Sequence, residues 1–270
     1  MRALAKNPSL AVGGAIVALL IIAATFGPAI AHRDPLAIDL ANALAAPSLA
    51  HPFGCDALGR DMFARVMWGA RLSLGISTSV VALSLIVGGL IGGASALAGG
   101  WVDNLAMRAV DIVLAFPGIL LAIAMAAILG PGLIDLVIAL TAMGWTGYAR
   151  VVRGEVLSLR EREYVHAARA LGARPARVLI RHLLPAVAGP VAVQATFGIG
   201  GIIGAEAALS FLGLGALPPT PSWGNMLDAG REFLLIAPHL TTAPGVAIGL
   251  AILGFNLLGD GLAALAGRAG

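Results

Sequence analysis

The stretch RVVRGEVLSLREREYVHAARALGARPARVLIRHLLP, residues 150–185, carries the densest cluster of charged residues in the chain. It stands between long runs that contain almost no Asp, Glu, Lys or Arg. The whole chain has 270 residues, of which 59% are hydrophobic and 11% charged, whereas soluble domains carry about 25% charged residues. The composition therefore predicts a membrane protein with one prominent charged loop and argues against a soluble enzyme with an oversized core.

Charge-free runs predict the membrane spans, because a helix needs about 20 mostly apolar residues to cross the hydrocarbon core. The fourth run reaches this length only if Asp135 lies at the end of the helix, at the edge of the membrane. Counts of five or seven spans therefore remain open. We expect an all-α, polytopic membrane protein with a single domain over 1–270. Its six predicted transmembrane helices cover 10–31, 72–98, 105–129, 133–152, 186–212 and 239–262.

The first apolar run also resembles a signal peptide, since Arg2 and Lys6 precede it and the small-x-small sequence at 29–31 has the form of a cleavage site. Its apolar stretch is longer than the 7–15 residues usual for a signal peptide. We therefore expect an uncleaved membrane anchor.

The distribution of basic residues predicts the orientation, because Lys and Arg are retained on the cytoplasmic side. Most of the 17 Lys and Arg residues lie at the chain ends and in 153–185. We expect both termini and this loop in the cytoplasm, with the segments 32–71 and 213–238 outside. The basic excess belongs to these loops, so it gives no support for nucleic-acid binding.

Glycines in two spans predict close helix packing, because helices in lipid associate by close backbone approach rather than by hiding apolar surface. A nucleotide-binding role for these glycines fails, since they follow no strand and lie at membrane depth. No P-loop sequence occurs elsewhere, so ATP, if used, must bind another chain. The glycines are Gly88, Gly89, Gly92 and Gly93 in the second span and Gly198, Gly200, Gly201 and Gly204 in the fifth.

Acidic residues within spans are costly and suggest function. Asp111 and Asp260 are expected to pair with a nearby Arg or a helix end. Glu206 has no basic residue near it in the sequence, so a place in a translocation pathway and a buried structural hydrogen bond are both open. Phe211 is a second, weaker candidate for the pathway.

The charged loop reads as two short amphipathic helices with a glycine corner. Val165, Ala168 and 171–172 fall on one face of the first helix, Gly172 ends it, and Pro175 opens the second. Such a unit suits docking into a groove on a partner protein. A basic helix lying on anionic lipid is the alternative.

The loop resembles the EAA motif of ABC-importer permeases. Ala167, Ala168, Gly172, and the Leu-Pro pair at 184–185 fall in register with that motif, whereas His166 occupies the position of its glutamate and Glu163 lies three residues earlier. This histidine is either an ordinary solvated residue or a pH-sensitive contact. The resemblance implies that an ATPase subunit is contacted by Glu163, Tyr164, His166, Ala167, Ala168, Arg169, Leu171, Gly172 and Pro185.

Four further blocks resemble the second-subunit type of dipeptide, oligopeptide and nickel permeases. They begin with HPFGCDALGRDMFARVMWGARLSL at 51–74 and continue in order at 99–122, 206–227 and 255–262. The resemblance covers essentially the whole chain. It departs from the family at Cys55, the only cysteine, which replaces a threonine and excludes an intramolecular disulfide.

The resemblance implies the type I ABC importer fold and a location in the bacterial inner membrane. It also implies a heterodimer with a paralogous permease, one or two ATP-binding subunits that hold ATP and Mg²⁺, and a periplasmic substrate-binding protein. The chain itself is expected to be no enzyme and to bind no cofactor or metal. At the outer side, Asp56, Arg60 and Asp61 either pair among themselves or meet the binding protein, and Trp223 is expected as an interfacial anchor, a binding-protein contact or, less readily, a substrate contact.

Two other function classes fit the sequence less well. A proton- or sodium-driven transporter needs ionisable residues at the midplane, for which only Glu206 qualifies, and an intramembrane metalloenzyme needs a zinc-type histidine pair that is not found. Among substrates, peptides are favoured over nickel because no His or Met cluster lines a span. Glutathione remains open.

Overall fold

The computed structural model describes residues 7–266, apart from the side chains of residues 169, 175 and 176. Arg2, Lys6 and Arg268, used above for the orientation, lie outside the described residues. Within 7–266 the chain is helical, and an isolated bridge between Cys55 and Asp61 is the only strand-type pairing. The helices are α1 Pro8–Ile30, α2 Met62–Ala98, α3 Gly100–Leu114, α4 Gly118–Leu129, α5 Leu133–Leu159, α6 Glu163–Ala170, α7 Pro175–Val178, α8 Leu184–Phe211, α9 Trp223–Gly230 and α10 His239–Ala266.

Four helices of the described part are long and apolar enough to cross a membrane: α1, α2, α10, and α8 together with the helical turn before it. The pair α3 and α4 makes a fifth span if it is counted as one. The predicted fourth span lies on α5, which is 27 residues long but contains several charged residues, including Asp135 and Arg150. The predicted fourth span, and with it the total of six, therefore stays a prediction.

The predicted third span is not one straight helix. Helices α3 and α4 meet at an angle of 86° around Pro117, which precedes α4. Proline lacks the backbone N–H that would continue the hydrogen-bond ladder and disfavours helical geometry at the residue before it. The bend therefore follows from the sequence at 116–117.

Helices α2 and α5 form the most extensive helix pair. Gly88 and Gly92 lie on the contact face, where a Cβ atom at either position would overlap the backbone of 145–149. Gly89 faces open space and Gly93 meets only the side chain of Leu179 and, farther off, Val152. One of the two glycine pairs predicted for this span thus makes the close backbone approach that favours helix association in lipid.

The two ends of the chain pack together through α1 and α10. Gly13 of α1 lies against the backbone at 257–258, and Gly261 of α10 lies against Leu10. The side-chain amide of Asn7 donates a hydrogen bond of 3.1 Å to the Gly261 carbonyl. Glycine contacts and this buried amide hold the first and last helices side by side.

The charged loop differs from the prediction at both of its ends. Helix α5 runs past residue 152 to Leu159, and the second loop helix does not stop before the fifth span. Instead α7 passes through a π-helical turn, Leu179–Leu183, directly into α8, with Pro185 in the first turn of α8. This placement costs little because a first-turn proline has no intrahelical N–H to lose.

Candidate docking surface and transmembrane sites

The loop helices are fixed to the bundle by an apolar cluster, here called the apolar anchor. Val165 of α6, Val178 of α7 and Leu183 of the π turn are each 0% exposed. They pack with residues from the ends of α2, α5 and α8, namely Ala96, Val152, Val156 and Val187. We call this side of the molecule the loop end. Helix α6 thus shares one buried cluster with three long helices.

Gly172 forms the corner between α6 and α7. Its φ is +82°, in the left-handed region that favours glycine. The N–H of Ala173 donates to the Ala168 carbonyl at 3.1 Å, the long bond of a Schellman cap. The predicted glycine corner is therefore present in the structure as a capped helix end.

A second apolar face of α6 points away from the bundle. Tyr164 is 44% exposed and Leu171 is 90% exposed, and Ala167 is exposed between them. We call Tyr164, Ala167 and Leu171 the outward stripe. The prediction that Leu171 shares the inner face with Val165 was wrong, because the helix ends at Ala170 and the cap turns Leu171 outward.

Charged side chains surround the outward stripe. Glu163 is exposed, and His166 is exposed with its Nε2 atom 3.7 Å from an Oε atom of Glu161. Arg160 donates to the Ala96 carbonyl at 3.0 Å, at the end of α2. The side chain of Arg169 lies outside the described part, and Pro185 is exposed at the start of α8.

The predicted binding-protein contacts at the opposite end are engaged within the protein. Asp56 is 8% exposed and accepts from Arg60 Nε at 2.7 Å and from the Leu58 N–H at 2.9 Å. Asp61 is 6% exposed, accepts from the Ala64 N–H at 2.8 Å as the cap of α2, and lies 2.8 Å from His51 Nδ1. Of the two interpretations, this geometry favours internal pairing.

Trp223 is a core residue in this structure. It is 1% exposed, its indole N–H donates to the Val66 carbonyl at 3.0 Å, and its ring lies against Gly69. The side chain is thus available neither to the membrane interface nor to a partner. Phe211 is half-buried, with the Arg231 guanidinium 5.7 Å from its ring centre.

Glu206 is fully buried between α8 and α2. Its carboxyl oxygens accept hydrogen bonds from Ser73 Oγ at 3.0 Å and from Ser210 Oγ at 2.8 Å. This arrangement matches the structural alternative for Glu206. Ser73 is 133 residues away in the sequence, so no local pattern identifies it.

Asp111 and Asp260, two other acidic residues of the predicted spans, differ in their surroundings. Asp111 pairs with Arg150 of α5, with 2.6 Å between Nη2 and Oδ1, rather than with the nearby Arg108. Asp260 is exposed. Among residues 7–266, no three His, Cys, Asp or Glu side chains lie close enough to hold a metal ion.

Sequence reasoning missed a cavity of about 260 Å³ between the middles of α2, α5 and α8. Ser84, Tyr148 and Gln194 line it together with Gly144 and Gly198. Single polar residues in long apolar runs are the only signal that the sequence gives for it, and such residues are common in membrane helices.

Comparison with known proteins assigns the fold and the family. The family model described as "Binding-protein-dependent transport system inner membrane component" matches residues 61–269, and one described as "N-terminal TM domain of oligopeptide transport permease C" matches residues 1–47. A solved structure of the MetNI methionine ABC transporter, in inward-facing conformations, aligns with a TM-score of 0.54 and 20% identity over 72% of this chain and 94% of that one. At this identity the likeness shows the fold.

Similar curated proteins are peptide-transport permeases. The dipeptide transport system permease protein DppC of Alkalihalophilus pseudofirmus is 44% identical over 97% of this chain and 86% of its own length. The glutathione transport system permease protein GsiD of Shigella dysenteriae serotype 1 is 46% identical over 91% and 82%. The protein from Escherichia coli O1:K1 with the same name is 45% identical over the same shares.

These matches extend over nearly the whole chain and agree with the helical fold and with the apolar helices that are long enough to span a membrane. The chain belongs to the family of inner-membrane components of binding-protein-dependent transport systems, as a permease of the second-subunit type of the peptide and nickel ABC importers.

Proposed function

We propose that this chain forms half of the channel of a di- or oligopeptide importer, together with a paralogous permease. ATP is hydrolysed by one or two separate subunits that also hold Mg²⁺, and a periplasmic binding protein delivers the substrate. The chain performs no chemistry on the substrate. Its task is to convert movement of the ATPase subunits into opening of the channel to one side and then the other.

The outward stripe is the observation that carries this proposal. Tyr164, Ala167 and Leu171 present apolar surface on the side of α6 that faces away from the bundle, and a helix with such a face fits a groove on a partner. The surrounding charges argue against burial of this face in lipid hydrocarbon. We infer that the partner is a protein at the cytoplasmic membrane surface, and membership of the transport-component family supports the ATPase subunit in this role.

The apolar anchor supplies the mechanical connection. Val165 belongs to one buried cluster with side chains at the ends of α2, α5 and α8, and close-packed interiors transmit displacement rather than absorb it. A shift of α6 therefore changes the packing of three long helices at once. Differential contacts in two states of the ATPase supply the energy for this shift.

Sidedness follows from the basic residues of the loop. We place the loop end and both termini in the cytoplasm, because Lys and Arg are retained on that side. The segments that precede α2 and α9 then face the periplasm, where the binding protein docks.

The relatives favour a peptide substrate. Their names specify a dipeptide in one case and glutathione, itself a short peptide, in the others. The closely similar blocks are shared across these transporters, so substrate length is set elsewhere, in the binding protein that selects the cargo. Nickel import by a protein of the same type is the alternative.

The test is copurification and transport with Leu171→Asp. A charge at residue 171, the most exposed position of the apolar docking face, should abolish retention of the ATPase subunits and reduce peptide uptake by about 100-fold, since burying an unpaired charge costs several kcal/mol. Ala170→Asp is the matched control, because Ala170 is also exposed but lies beside Glu163 and His166, outside the stripe. Equal retention of the ATPase by both variants would refute the docking assignment.

A further inference from the structure

A mainly apolar cavity with a few polar groups in its wall lies at membrane depth, away from the docking surface. Its volume is about 260 Å³, and its lining comes from the middles of α2, α5 and α8. Gly144, Gly198 and Gly201 contribute backbone rather than side chains to its wall, and a Cβ atom at Gly201 would meet nothing within 4 Å. Within the described part of the chain, no charged residue lines it. The cavity is thus lined by backbone, apolar groups and a few neutral polar groups.

Two of these polar groups lack hydrogen-bond partners. Among the described residues, Ser84 Oγ and Tyr148 Oη are buried and form no hydrogen bond, and their residues are 1% and 4% exposed. Buried polar groups are paired in the large majority of cases, and each unpaired one in a native structure calls for an explanation. Both hydroxyls belong to residues that line the cavity.

Gln194 adds a side-chain amide to the same wall. Its Nε2 atom would lie 3.5 Å from a Cβ atom at Gly147, so it reaches the contact between α8 and α5. A hydroxyl group both donates and accepts a hydrogen bond, and an amide offers two donors and an acceptor. Together these groups match a neutral ligand that also carries both donors and acceptors.

We propose that Ser84, Tyr148 and Gln194 form a contact site for the peptide bonds of the substrate during its passage through the channel. A peptide unit presents one N–H donor and one C=O acceptor whatever its side chains are. Neutral partners bind it without selecting for substrate charge, and Gly201, where a Cβ atom would meet nothing within 4 Å, leaves open space beside them. This inference rests on the proposed function and identifies where in the chain the cargo is held.

The test uses the complete importer in liposomes, with uptake of a radiolabelled dipeptide delivered by its binding protein. Tyr148→Phe removes one oxygen and keeps the ring, and Gln194→Leu removes the amide at nearly constant volume. Each should lower the rate of uptake by about tenfold, the change expected for one lost hydrogen bond. The melting temperature and the ATPase stimulation by the binding protein should stay at wild-type values.

Thr141→Val is the matched control. The Thr141 hydroxyl is likewise buried without a partner among the described residues, but Thr141 does not line the cavity. Uptake by this variant should match the wild type.

Unchanged uptake with both cavity variants would overturn the inference. A fall in uptake that is accompanied by a fall in the melting temperature would also overturn it. The hydroxyls would then serve only to hold structural water. A wild-type importer that takes up no peptide would instead refute the proposed function itself.

Discussion

At the loop end, Tyr164 and Leu171 protrude from the surface as apolar side chains without a partner, whereas at the opposite end Asp56 and Asp61 are folded inward and hydrogen-bonded. The sequence indicated both pairs of residues as candidate partner contacts. The difference shows that charged residues in a long outer segment serve first to fold that segment, while an exposed apolar stripe has no such internal use. Asp56 and Asp61 are thus already paired within the described part of the protein, whereas Tyr164 and Leu171 remain free to contact a partner.

The largest expected effect is a loss of stability at the opposite end of the molecule, around Asp56. Asp56→Ala leaves the Arg65 guanidinium, which is 5% exposed and 3.6 Å from the carboxylate, without its acidic partner. Removing one partner of a buried pair costs about 3–5 kcal/mol. We expect the segment around residues 39–61 to open while the ATPase subunits remain bound.

Cys55 reports this opening. It is 0% exposed, and burial, followed by the nearby Asp61 carboxylate, raises the pKa of its thiol, so little reactive thiolate forms near neutral pH. A maleimide dye should therefore react slowly with the wild type and rapidly with Asp56→Ala. Asp34→Ala, at an exposed turn of the same segment, is the control and should react like the wild type.

A smaller effect is expected at Glu206, just inside the opposite end. Glu206→Ala leaves the Ser73 and Ser210 hydroxyls without their acceptor and opens a cavity, at a cost of about 2–4 kcal/mol in unfolding free energy. Glu206→Gln keeps one acceptor oxygen and should retain at least half of the transport rate. Loss of transport by Glu206→Gln with an unchanged melting temperature would place this residue in the pathway instead.

At the loop end, Gly172→Val should impair coupling more than stability. A non-glycine residue in the left-handed region costs about 1–2 kcal/mol, and nothing else crowds the position. We expect ATPase-coupled uptake to fall about 5- to 30-fold with normal membrane insertion. Gly154→Val, within α5 and without a positive φ, is the control, and equal loss in both variants would contradict the role of the corner.

The smallest effect is expected at His166. Its contact with Glu161 is 3.7 Å long between side chains that are more than half exposed, and such pairs contribute about 0–1 kcal/mol. His166→Ala should change uptake less than twofold between pH 6 and pH 8. A clear pH dependence that disappears in the variant would show that this histidine contacts the ATPase.

The sequence predicted the parts of this fold that depend on local composition. Charge-free runs located the apolar parts of the long helices, but α2 begins at Met62 and not at residue 72 as predicted. The residues around Gly172 predicted a corner that the structure forms as a cap. The exposure of Leu171 was not predictable from helical periodicity, because it depends on where the helix ends.

Contacts between residues that are far apart in the chain could not be predicted from the sequence. The pairing of Glu206 with Ser73 and the burial of Trp223 against Gly69 join residues more than 130 positions apart. The mid-membrane cavity likewise depends on three helices meeting, and no single run indicates it.

The most direct test compares the two ends in one experiment. The native Cys55 is buried and should react only slowly with a maleimide reagent. Leu171→Cys and Leu235→Cys therefore each introduce a single reactive thiol, at positions that are 90% and 98% exposed. We predict that bound ATPase subunits protect residue 171 from a maleimide reagent and leave residue 235 reactive. Equal labelling of residue 171 with and without the ATPase, or protection of residue 235 alone, would contradict the account.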